Sequence, residues 1–355
     1  MPSSPSWNDV FFRFNPASVS KEYGIPIDNL ADHSLFIISK ERIDWESEYF
    51  MTKGRYVYPS SVSDVNRLIT AISYPPGESF WIRPTNTFFE SHLKGIEPPV
   101  VMAIINMTPD SFYPESRIED GKLAETLTRI KEKGVKLVDI GGQSTRPGSE
   151  RITAEEEMRR IRKAVEISLN MGFFVSIDSF YPEVVRECLE MGSHVINDVT
   201  GMENQEIGLL SKRYGVPLII MHKKGDFKTM QVAPYYENVI EEIISFFLHR
   251  IEDAKNLGID DNVIFDPGIG FGKRVVDNLT IIRNLRDLKL GHPLLIGLSR
   301  KGFIGTLTGE SVEERGLSTL IFHTIALMQG VDIIRVHDVE ESVKLVNIMK
   351  KMNEY

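Results

Sequence analysis

The chain has very little cysteine: one residue, Cys188, in 355. A single thiol excludes a disulfide framework and a cysteine-rich zinc site, because both need several cysteines. Cys188 lies in the stretch PEVVRECLEMG, which has a helical pattern. We therefore expect a buried, unreactive thiol rather than a nucleophile.

Excess positive charge and long apolar runs are also missing. The net charge is −9, which argues against a surface for nucleic acid or an anionic membrane, because both require a basic face. No uninterrupted apolar run reaches the length of a membrane span, and the opening MPSSPSWNDV contains no signal-peptide hydrophobic region. We expect a cytoplasmic, soluble protein that binds neither nucleic acid nor membrane.

The chain does have the material for a large core, with 42% hydrophobic and 26% charged residues. From about residue 98 one pattern repeats: a short apolar run, a polar or glycine-rich stretch, then an amphipathic helix. The eight apolar runs lie at residues 100–105, 136–140, 173–177, 193–196, 216–221, 262–265, 293–297 and 332–336. Continuous apolar strands of this kind are typical of a parallel sheet that is buried on both faces.

Helix signals separate the runs. Thr153 and Glu156 have the spacing of a capping box, and Pro182 is placed for the first turn of a helix. Two further helices are expected to begin at Ser311 and at Asp338. Eight β-then-α units favour an α/β fold of the (β/α)8 TIM-barrel class over an open doubly wound sheet.

Residues 1–97 break this pattern. They contain a strand-like run, SLFIIS, a helical pattern, SVSDVNRLITAI, and a YPPG turn, which we interpret as a small N-terminal α/β extension. Pro98 and Pro99 mark its boundary with the barrel, 98–355. Because the strand-end motifs all lie beyond the extension, we expect a chain without residues 1–97 to remain soluble and partly active.

The stretch FDPGIGFGK (265–273) resembles a phosphate loop in composition but not in spacing. A P-loop needs a hydroxyl residue after its lysine, and here Lys273 is followed by Arg274. A dinucleotide fingerprint needs its third glycine one residue later. The function of this stretch must therefore be inferred from its neighbours.

In a barrel of this class the chemistry lies where each strand ends, and the predicted strand ends are polar. They are Asn106, the segment 141–150, Asp178, Asn197 with Asp198, Met221 with His222, Asp266, the segment 299–301, and Arg335 with His337 and Asp338. Taken alone, Asp178 is explained equally well as a helix cap, and His222 or His337 is more often a structural histidine with satisfied hydrogen bonds. Eight such ends converging on one rim predict a functional site.

The chemistry of these side chains indicates which class of ligand the site would bind. Two carboxylates, an amide and a lysine suit a flat heterocycle with several donors and acceptors: Asp178, Asp266, Asn197 and Lys301. Arg335 and His337 alternate along one strand and with Asn106 on the adjacent strand suit an anion, with or without a metal. The absence of a nucleophile motif favours positioning and leaving-group stabilisation over covalent catalysis.

The motifs resemble those of the dihydropteroate synthases, in the same order and one per barrel loop: INMTPDSF, DIGGQSTRPGSE, SIDSFYPEVV, INDVTG, MHKKG, DPGIGFGK, GLSRKGFIG and IIRVHDV. The resemblance implies that p-aminobenzoate displaces pyrophosphate from (7,8-dihydropterin-6-yl)methyl diphosphate, giving 7,8-dihydropteroate in folate biosynthesis. It also implies Mg²⁺ as cofactor, a homodimer, and a sulfonamide target.

The resemblance further implies a role for single residues. The pterin would be held by Asp178, Asn197, Asp266 and Lys301, with Met221 in the pocket wall and the backbone of Gly268, Gly270 and Gly272 passing close under the ring. The metal would be held by Asn106, and the diphosphate by Arg335 and His337. The p-aminobenzoate would lie against Thr145, Arg146 and Phe271, with its carboxylate near Gly302.

Three positions depart from the family pattern. Pro114 stands where an aspartate is common, Gln143 where a glutamate is frequent, and Gly302 where a serine is often found. Two other interpretations stay open: a methyltetrahydrofolate-dependent corrinoid methyltransferase, and a pterin-binding protein without catalysis.

Overall fold

The computed structural model describes residues 10–14, 16–23, 25, 35–40, 43, 49–53, 55–60, 68, 85–107, 122–144, 151–352 and 354. Its strands are β1 (Val10–Arg13), β2 (Phe36–Ser39), β3 (Phe50–Thr52), β4 (Arg55–Pro59), β5 (Val100–Asn106), β6 (Leu137–Gly141), β7 (Phe174–Asp178), β8 (Val195–Asp198), β9 (Leu218–Met221), β10 (Val263–Asp266), β11 (Leu295–Ile296) and β12 (Ile333–Val336). Its helices are α1 (Pro16–Tyr23), α2 (Thr85–His92), α3 (Leu123–Glu132), α4 (Ala154–Asn170), α5 (Pro182–Glu190), α6 (Gln205–Tyr214), α7 (Val239–Leu257), α8 (Val275–Arg283), α9 (Gly302–Thr308), α10 (Gly316–Met328) and α11 (Val339–Met352).

Strands β5 to β12 form one parallel sheet in the order β10-β9-β8-β7-β6-β5-β12-β11. A parallel bridge between Phe265 and Leu294 joins its two edges and closes the sheet into a barrel. Each predicted apolar run contains a strand whose ends fall within two residues of the predicted ones. The prediction of a (β/α)8 barrel is confirmed.

Strand alternation decides which side chains enter the barrel. At the lower end, inward residues of the strands share one apolar cluster, which includes Val100, Leu137, Ile264 and Ile333. Side chains two, four or six residues further along the same strands point to the same interior. This register turns one set of side chains toward the upper end of the barrel interior, all of them polar except Met221: Asn106, Asp139, Asp178, Asn197, Met221, Asp266, Arg335 and His337.

The helix signals are confirmed except one. Thr153 caps α4, its hydroxyl accepting from the Glu156 N–H at 3.2 Å, and Pro182 is the first residue of α5. The helix expected from Ser311 begins only at Gly316. The reason is local: the Glu314 carboxylate accepts from the Ser311 N–H at 2.8 Å and closes a separate turn ahead of the helix.

Helix α2 closes the lower end of the barrel. Phe88, Phe89, Leu93 and Ile96, in α2 and the segment after it, are buried in the same cluster as the inward residues of the strands. Apolar burial at this point removes the open end of the barrel from water. The predicted extension therefore includes the segment that fills the barrel floor.

The rest of the described extension contains α1 and a four-stranded antiparallel sheet in the order β1-β2-β4-β3. It contacts the barrel through Arg13, which is fully buried and donates from Nε to Asp287 Oδ2 at 2.7 Å. A second contact joins the Tyr23 hydroxyl to Glu241 Oε1 at 2.6 Å, and Arg55 Nη2 donates to Oε2 of the same carboxylate at 2.8 Å.

Of the other predictions for residues 1–97, one is confirmed and two fall outside the described residues. The strand-like run SLFIIS contains β2. The pattern SVSDVNRLITAI, apart from Leu68, and the YPPG turn lie outside the described residues.

Two predictions drawn from absences can be compared with the structure. Cys188 is buried, as predicted, and burial raises the pKa of its thiol to about 12, which agrees with the expectation of an unreactive thiol. In the described ranges, we find no helix with the length and apolar character needed to cross a membrane.

Candidate active site

A cavity of about 620 Å³ opens at the upper end of the barrel. The predicted site residues that line it are Asn106, Asp178, Phe271, Lys301, Gly302, Arg335 and His337. Asn197 is the residue before the last of β8, Met221 and Asp266 end β9 and β10, and all three are buried. Thr145 and Arg146 fall outside the described residues, so their place stays a prediction.

Asp178 and Arg335 line the cavity. Together with Asp139 and Asn197 they form a network of four side chains, here called the floor network. Arg335 donates from Nε to Asp139 Oδ2 at 2.5 Å and from Nη2 to Asp178 Oδ2 at 2.6 Å. Asn197 Nδ2 donates to the same Asp139 oxygen at 3.0 Å. Strands β6, β7, β8 and β12 are thus joined at one point by charge-assisted hydrogen bonds.

Asp139 is absent from the residues predicted for the site. It lies inside the apolar run KLVDI, a pattern that predicts a strand interior rather than a strand end. The position of Asp139 could have revealed it. Asp139 follows the inward-facing Leu137 by two residues, and strand alternation turns it toward the barrel interior as well.

The floor network holds two carboxylates against one guanidinium, and this imbalance affects proton binding. Burial raises the pKa of Asp178 to about 7; the Arg335 charge opposes this shift and the Asp139 charge adds to it. Oδ1 of Asp139 and Oδ1 of Asp178 are buried and have no hydrogen-bond partner among the described residues. Unmatched acceptors of this kind favour a ligand that brings N–H donors.

Two of the three glycines of the DPGIGFGK stretch, Gly268 and Gly272, pack closely against other parts of the backbone. Gly268 and Gly272 both have φ of +64°, and a Cβ at these positions would lie 2.0 Å from the His222 carbonyl oxygen and 2.1 Å from that of Lys224. The close approach is therefore to the segment after β9. Protein backbone thus explains why Gly268 and Gly272 are glycines, and the passage of this stretch under a pterin ring stays a prediction.

Asp266, at the start of this stretch, is held by its own turn. Its Oδ1 accepts from the Gly268 N–H at 2.7 Å. Burial raises the pKa of Asp266, and this hydrogen bond partly offsets the rise. A buried acceptor is thereby fixed beside the floor network.

Lys301 and Phe271 form one side of the cavity, with Lys301 Nζ 4.4 Å from the centre of the Phe271 ring. The residue before Lys301, Arg300, has a positive φ of 53° and donates from Nη2 and Nε to the Asp338 carboxylate at 2.8 and 3.0 Å. This ion pair ties the end of β11 to the end of β12. A Cβ at Gly302, the first residue of α9, would meet no atom within 4 Å.

His337 follows β12 and Asn106 ends β5, and these two strands are neighbours in the sheet. His337 Nδ1 is 3.1 Å from Ser299 Oγ, and the His337 N–H donates to that oxygen at 3.2 Å. Asn106 ends β5 with its amide at the cavity. Within the described ranges, His, Cys, Asp and Glu side chains form no group of three that could hold a metal.

Met221 belongs to an apolar cluster above the barrel. Its members are Val199, Met221, Phe227, Met230 and Phe271. Because Phe271 also lines the cavity, this cluster supports the cavity wall from behind.

Comparison with known proteins gives consistent matches. A family model for pterin binding enzymes matches residues 102–337. The dihydropteroate synthase of Escherichia coli (strain K12) is 37% identical over 259 residues, which cover 71% of this chain and 91% of that protein. A bifunctional dihydropteroate synthase/dihydropteroate reductase of Helicobacter pylori is 34% identical over 302 residues, covering 83% of this chain and 78% of that protein.

Solved structures agree with these sequence matches. The structure of Xanthomonas albilineans dihydropteroate synthase with 4-aminobenzoic acid is 37% identical and has a TM-score of 0.67. The match covers 73% of this chain and 94% of that one.

Proposed function

Because the chain belongs to the dihydropteroate synthases, a family of pterin-binding enzymes, we propose that the barrel-mouth cavity joins (7,8-dihydropterin-6-yl)methyl diphosphate to p-aminobenzoate. The products are 7,8-dihydropteroate and pyrophosphate, as in folate biosynthesis. One observation carries the proposal: the residues that the family motifs predict for the pterin and for the anion line or border one cavity. A transferase that releases pyrophosphate needs both ends of its substrate held at once.

The pterin end is assigned to Asp178, Asn197, Asp266 and Lys301, and we add Asp139. The support is chemical: a pterin presents an amino group and ring N–H groups on one edge, and buried carboxylate oxygens accept from them. Asp178 Oδ1 lacks a partner among the described residues, as does Asp139 Oδ1. A pterin would satisfy acceptors that otherwise cost stability.

The diphosphate end is assigned to Arg335, His337 and Asn106. Arg335 uses Nε and Nη2 for the floor network, which leaves Nη1 for a phosphate oxygen. The Arg335 guanidinium would then contact both the diphosphate and the two aspartates that are proposed to hold the pterin. This arrangement places the breaking C–O bond between the two ends.

The residues at the cavity fit Mg²⁺ bound together with the diphosphate. Mg²⁺ keeps several waters and uses few protein ligands when substrate phosphates are present. The Asn106 amide oxygen is suited to such a partial site. When bound, the ion would neutralise negative charge on the leaving group.

The chain's own residues would mainly position the reactants. The bond from the pterin methylene to the diphosphate oxygen breaks, the electron-rich ring stabilises the positive charge, and the amine nitrogen forms the new C–N bond and then loses a proton. Arg335 and His337 would receive the charge that grows on the departing oxygen. The neutral amine requires orientation rather than a strong base.

We assign the p-aminobenzoate to the side formed by Phe271, Lys301 and Gly302, with Thr145 and Arg146 completing it and Met221 behind the wall. The support is the Lys301–Phe271 pair, which offers an aromatic face and a cation side by side. A benzoate has the matching ring and carboxylate.

One reaction separates this proposal from its alternatives. The chain is incubated with the dihydropterin diphosphate, p-aminobenzoate and MgCl₂, and dihydropteroate and pyrophosphate are measured over time. Both products are expected, and omission of the amine should abolish dihydropteroate. Methyl transfer from methyltetrahydrofolate to a corrinoid protein, or pterin binding without product, would replace this proposal by one of the two alternatives.

We also propose a homodimer through α10 and α11. Large apolar side chains are exposed on these two helices: Leu317, Ile321, Ile325 and Met328 on α10, and Ile348 and Met352 on α11. Contiguous exposed apolar side chains favour a protein interface. Sedimentation velocity of the wild type and of Leu317→Glu tests this, with a shift from dimer to monomer expected.

A second activity is favoured by the length of one match. The Helicobacter pylori relative aligns with 83% of the chain, whereas residues 98–355 make up less than three quarters of it, so the alignment extends into residues 1–97. We propose that the extension, 1–97, adds reduction of 7,8-dihydropteroate to the barrel activity. Incubation with 7,8-dihydropteroate and NADPH, followed by mass spectrometry for the tetrahydro product, compares the full chain with a chain that lacks residues 1–84 and keeps α2; product is expected from the full chain alone.

A further inference from the structure

Lys273 is a buried cation to which the proposed mechanism gives no role. Its side chain is 4% exposed. Its Nζ lies 3.0 Å from His222 Nδ1, 3.2 Å from the His222 carbonyl oxygen and 3.1 Å from the Phe271 carbonyl oxygen. Within the described residues no carboxylate forms an ion pair with it. The ammonium group therefore joins two segments of backbone rather than neutralising an acid.

The protonation state of His222 agrees with its contact to the Lys273 ammonium group. Burial lowers the pKa of His222 well below its usual value, and the Lys273 charge adds to the effect. A neutral His222 can accept at Nδ1 while carrying its proton on Nε2. All three N–H bonds of a Lys273 ammonium group then have an acceptor.

The Lys273 ammonium is itself held near its titration point. Burial lowers the pKa of Lys273 to about 7, while Asp266 opposes this shift and Lys301 adds to it. Two further charges face it from neighbouring elements: Asp277 on α8 raises the pKa and Lys224 after β9 lowers it.

The backbone segment that Lys273 holds ends at the cavity wall. The Gly270 N–H donates to Asn278 Oδ1 at 2.9 Å, and its carbonyl oxygen accepts from Gln231 Nε2. Phe271 is fixed next, through its carbonyl by Lys273 and through its ring by Lys301. Removing the Lys273 contact would free the peptide that sets the ring's position.

We propose that Lys273 is a positioning residue that fixes Phe271 against the cavity and thereby sets the affinity for the aromatic amine substrate. This inference rests on the proposed function. It also gives the lysine of the DPGIGFGK stretch a role other than phosphate binding.

The test compares Lys273→Met, which keeps an unbranched side chain and loses the donors, with Lys224→Met as matched control. Lys224 belongs to the adjacent segment, and its exposed ammonium group pairs with Glu242. For Lys273→Met we expect the KM for p-aminobenzoate to rise at least about tenfold and the KM for the dihydropterin diphosphate to stay within about twofold. For Lys224→Met both constants should stay within about twofold of the wild type.

A pH series adds a readout that a general packing role would not give. In the wild type the KM for p-aminobenzoate should rise as the pH passes from 6 to 9, because the ammonium loses its proton near the pKa of about 7. In Lys273→Met the KM should be high throughout and the rise should be missing. Equal increases in both KM values, or the wild-type pH dependence in the variant, would overturn the proposal.

Amide hydrogen exchange separates failure of this inference from failure of the proposed function. The peptide covering 268–273 should exchange faster in Lys273→Met than in the wild type, whatever reaction the protein catalyses. Unchanged exchange in a folded variant would overturn the positioning role. If Lys273→Met does not fold, Lys273→Gln, which keeps two donors, should show the same KM pattern in weaker form.

Discussion

Deletion of the extension, residues 1–97, tests how the lower end of the barrel is stabilised. The boundary after residue 97 predicts a soluble, partly active barrel, but the structure gives a different expectation. Phe88, Phe89, Leu93 and Ile96 fill the barrel floor and are at most 8% exposed. A chain beginning at residue 98 would lose all four and open the lower cluster to water.

The size of the effect follows from these side chains. Burying one large apolar side chain stabilises a fold by about 1.5–3 kcal/mol, so four contribute on the order of 6–12 kcal/mol. A whole domain is stable by only about 5–15 kcal/mol. We therefore expect deletion of residues 1–97 to give an insoluble or unfolded chain.

Deletion of residues 1–84 provides the matched comparison, because it keeps α2 and removes the antiparallel sheet. This variant loses the Arg13 contact with Asp287, which then faces water instead of a buried cation. It should fold, melt at a lower temperature and keep synthase activity. Circular dichroism and thermal unfolding compare the two deletion variants. Cooperative unfolding of the chain without residues 1–97 near the full-length melting temperature would refute the role of α2.

Three further predictions concern the cavity. Asp139→Asn should lower kcat/KM more than about tenfold, because an amide replaces the carboxylate that accepts from both Arg335 Nε and Asn197 Nδ2; unchanged steady-state kinetics would contradict the floor network. Gly302→Ser should lower the KM for p-aminobenzoate by up to about tenfold through one added hydrogen bond, since the new Cβ meets no atom within 4 Å; a higher KM in a folded variant would place the carboxylate elsewhere. Activity should fall below about pH 7, because the pKa of Asp178 is raised to about 7 and a protonated carboxyl loses an acceptor; a flat profile from about pH 5.5 to 8 would refute this.

The fold could be predicted from sequence because parallel strands buried on both faces are apolar throughout. Runs such as VVMAII and VPLIIM leave no other place for their side chains than the barrel wall. The role of α2 at the lower end of the barrel could not be predicted, for a physical reason. The helical pattern of α2 is short and belongs to no repeat, and its partners are the lower ends of strands distant in sequence.

The site could be predicted in part. Polar strand ends such as Asn106 and Asp266 stand out because they interrupt apolar runs. Asp139 could have been found by counting in steps of two from Leu137, but the partner that it shares with Asp178, Arg335, lies on a strand that only the closed barrel brings close. The packing of Gly268 on His222 also depends on two neighbouring loops, and sequence spacing alone does not reveal it.

The most direct test of the central claim is to quantify both products in one reaction, for the wild type and for Asp266→Asn. Wild-type protein with dihydropterin diphosphate, p-aminobenzoate and MgCl₂ should give dihydropteroate and pyrophosphate in equal amounts. The variant should give at least about tenfold less, because its amide turns a donor toward the N–H groups of the pterin. No dihydropteroate from the wild type, or the same yield from a folded Asp266→Asn protein, would contradict the assignment of this reaction to the barrel mouth.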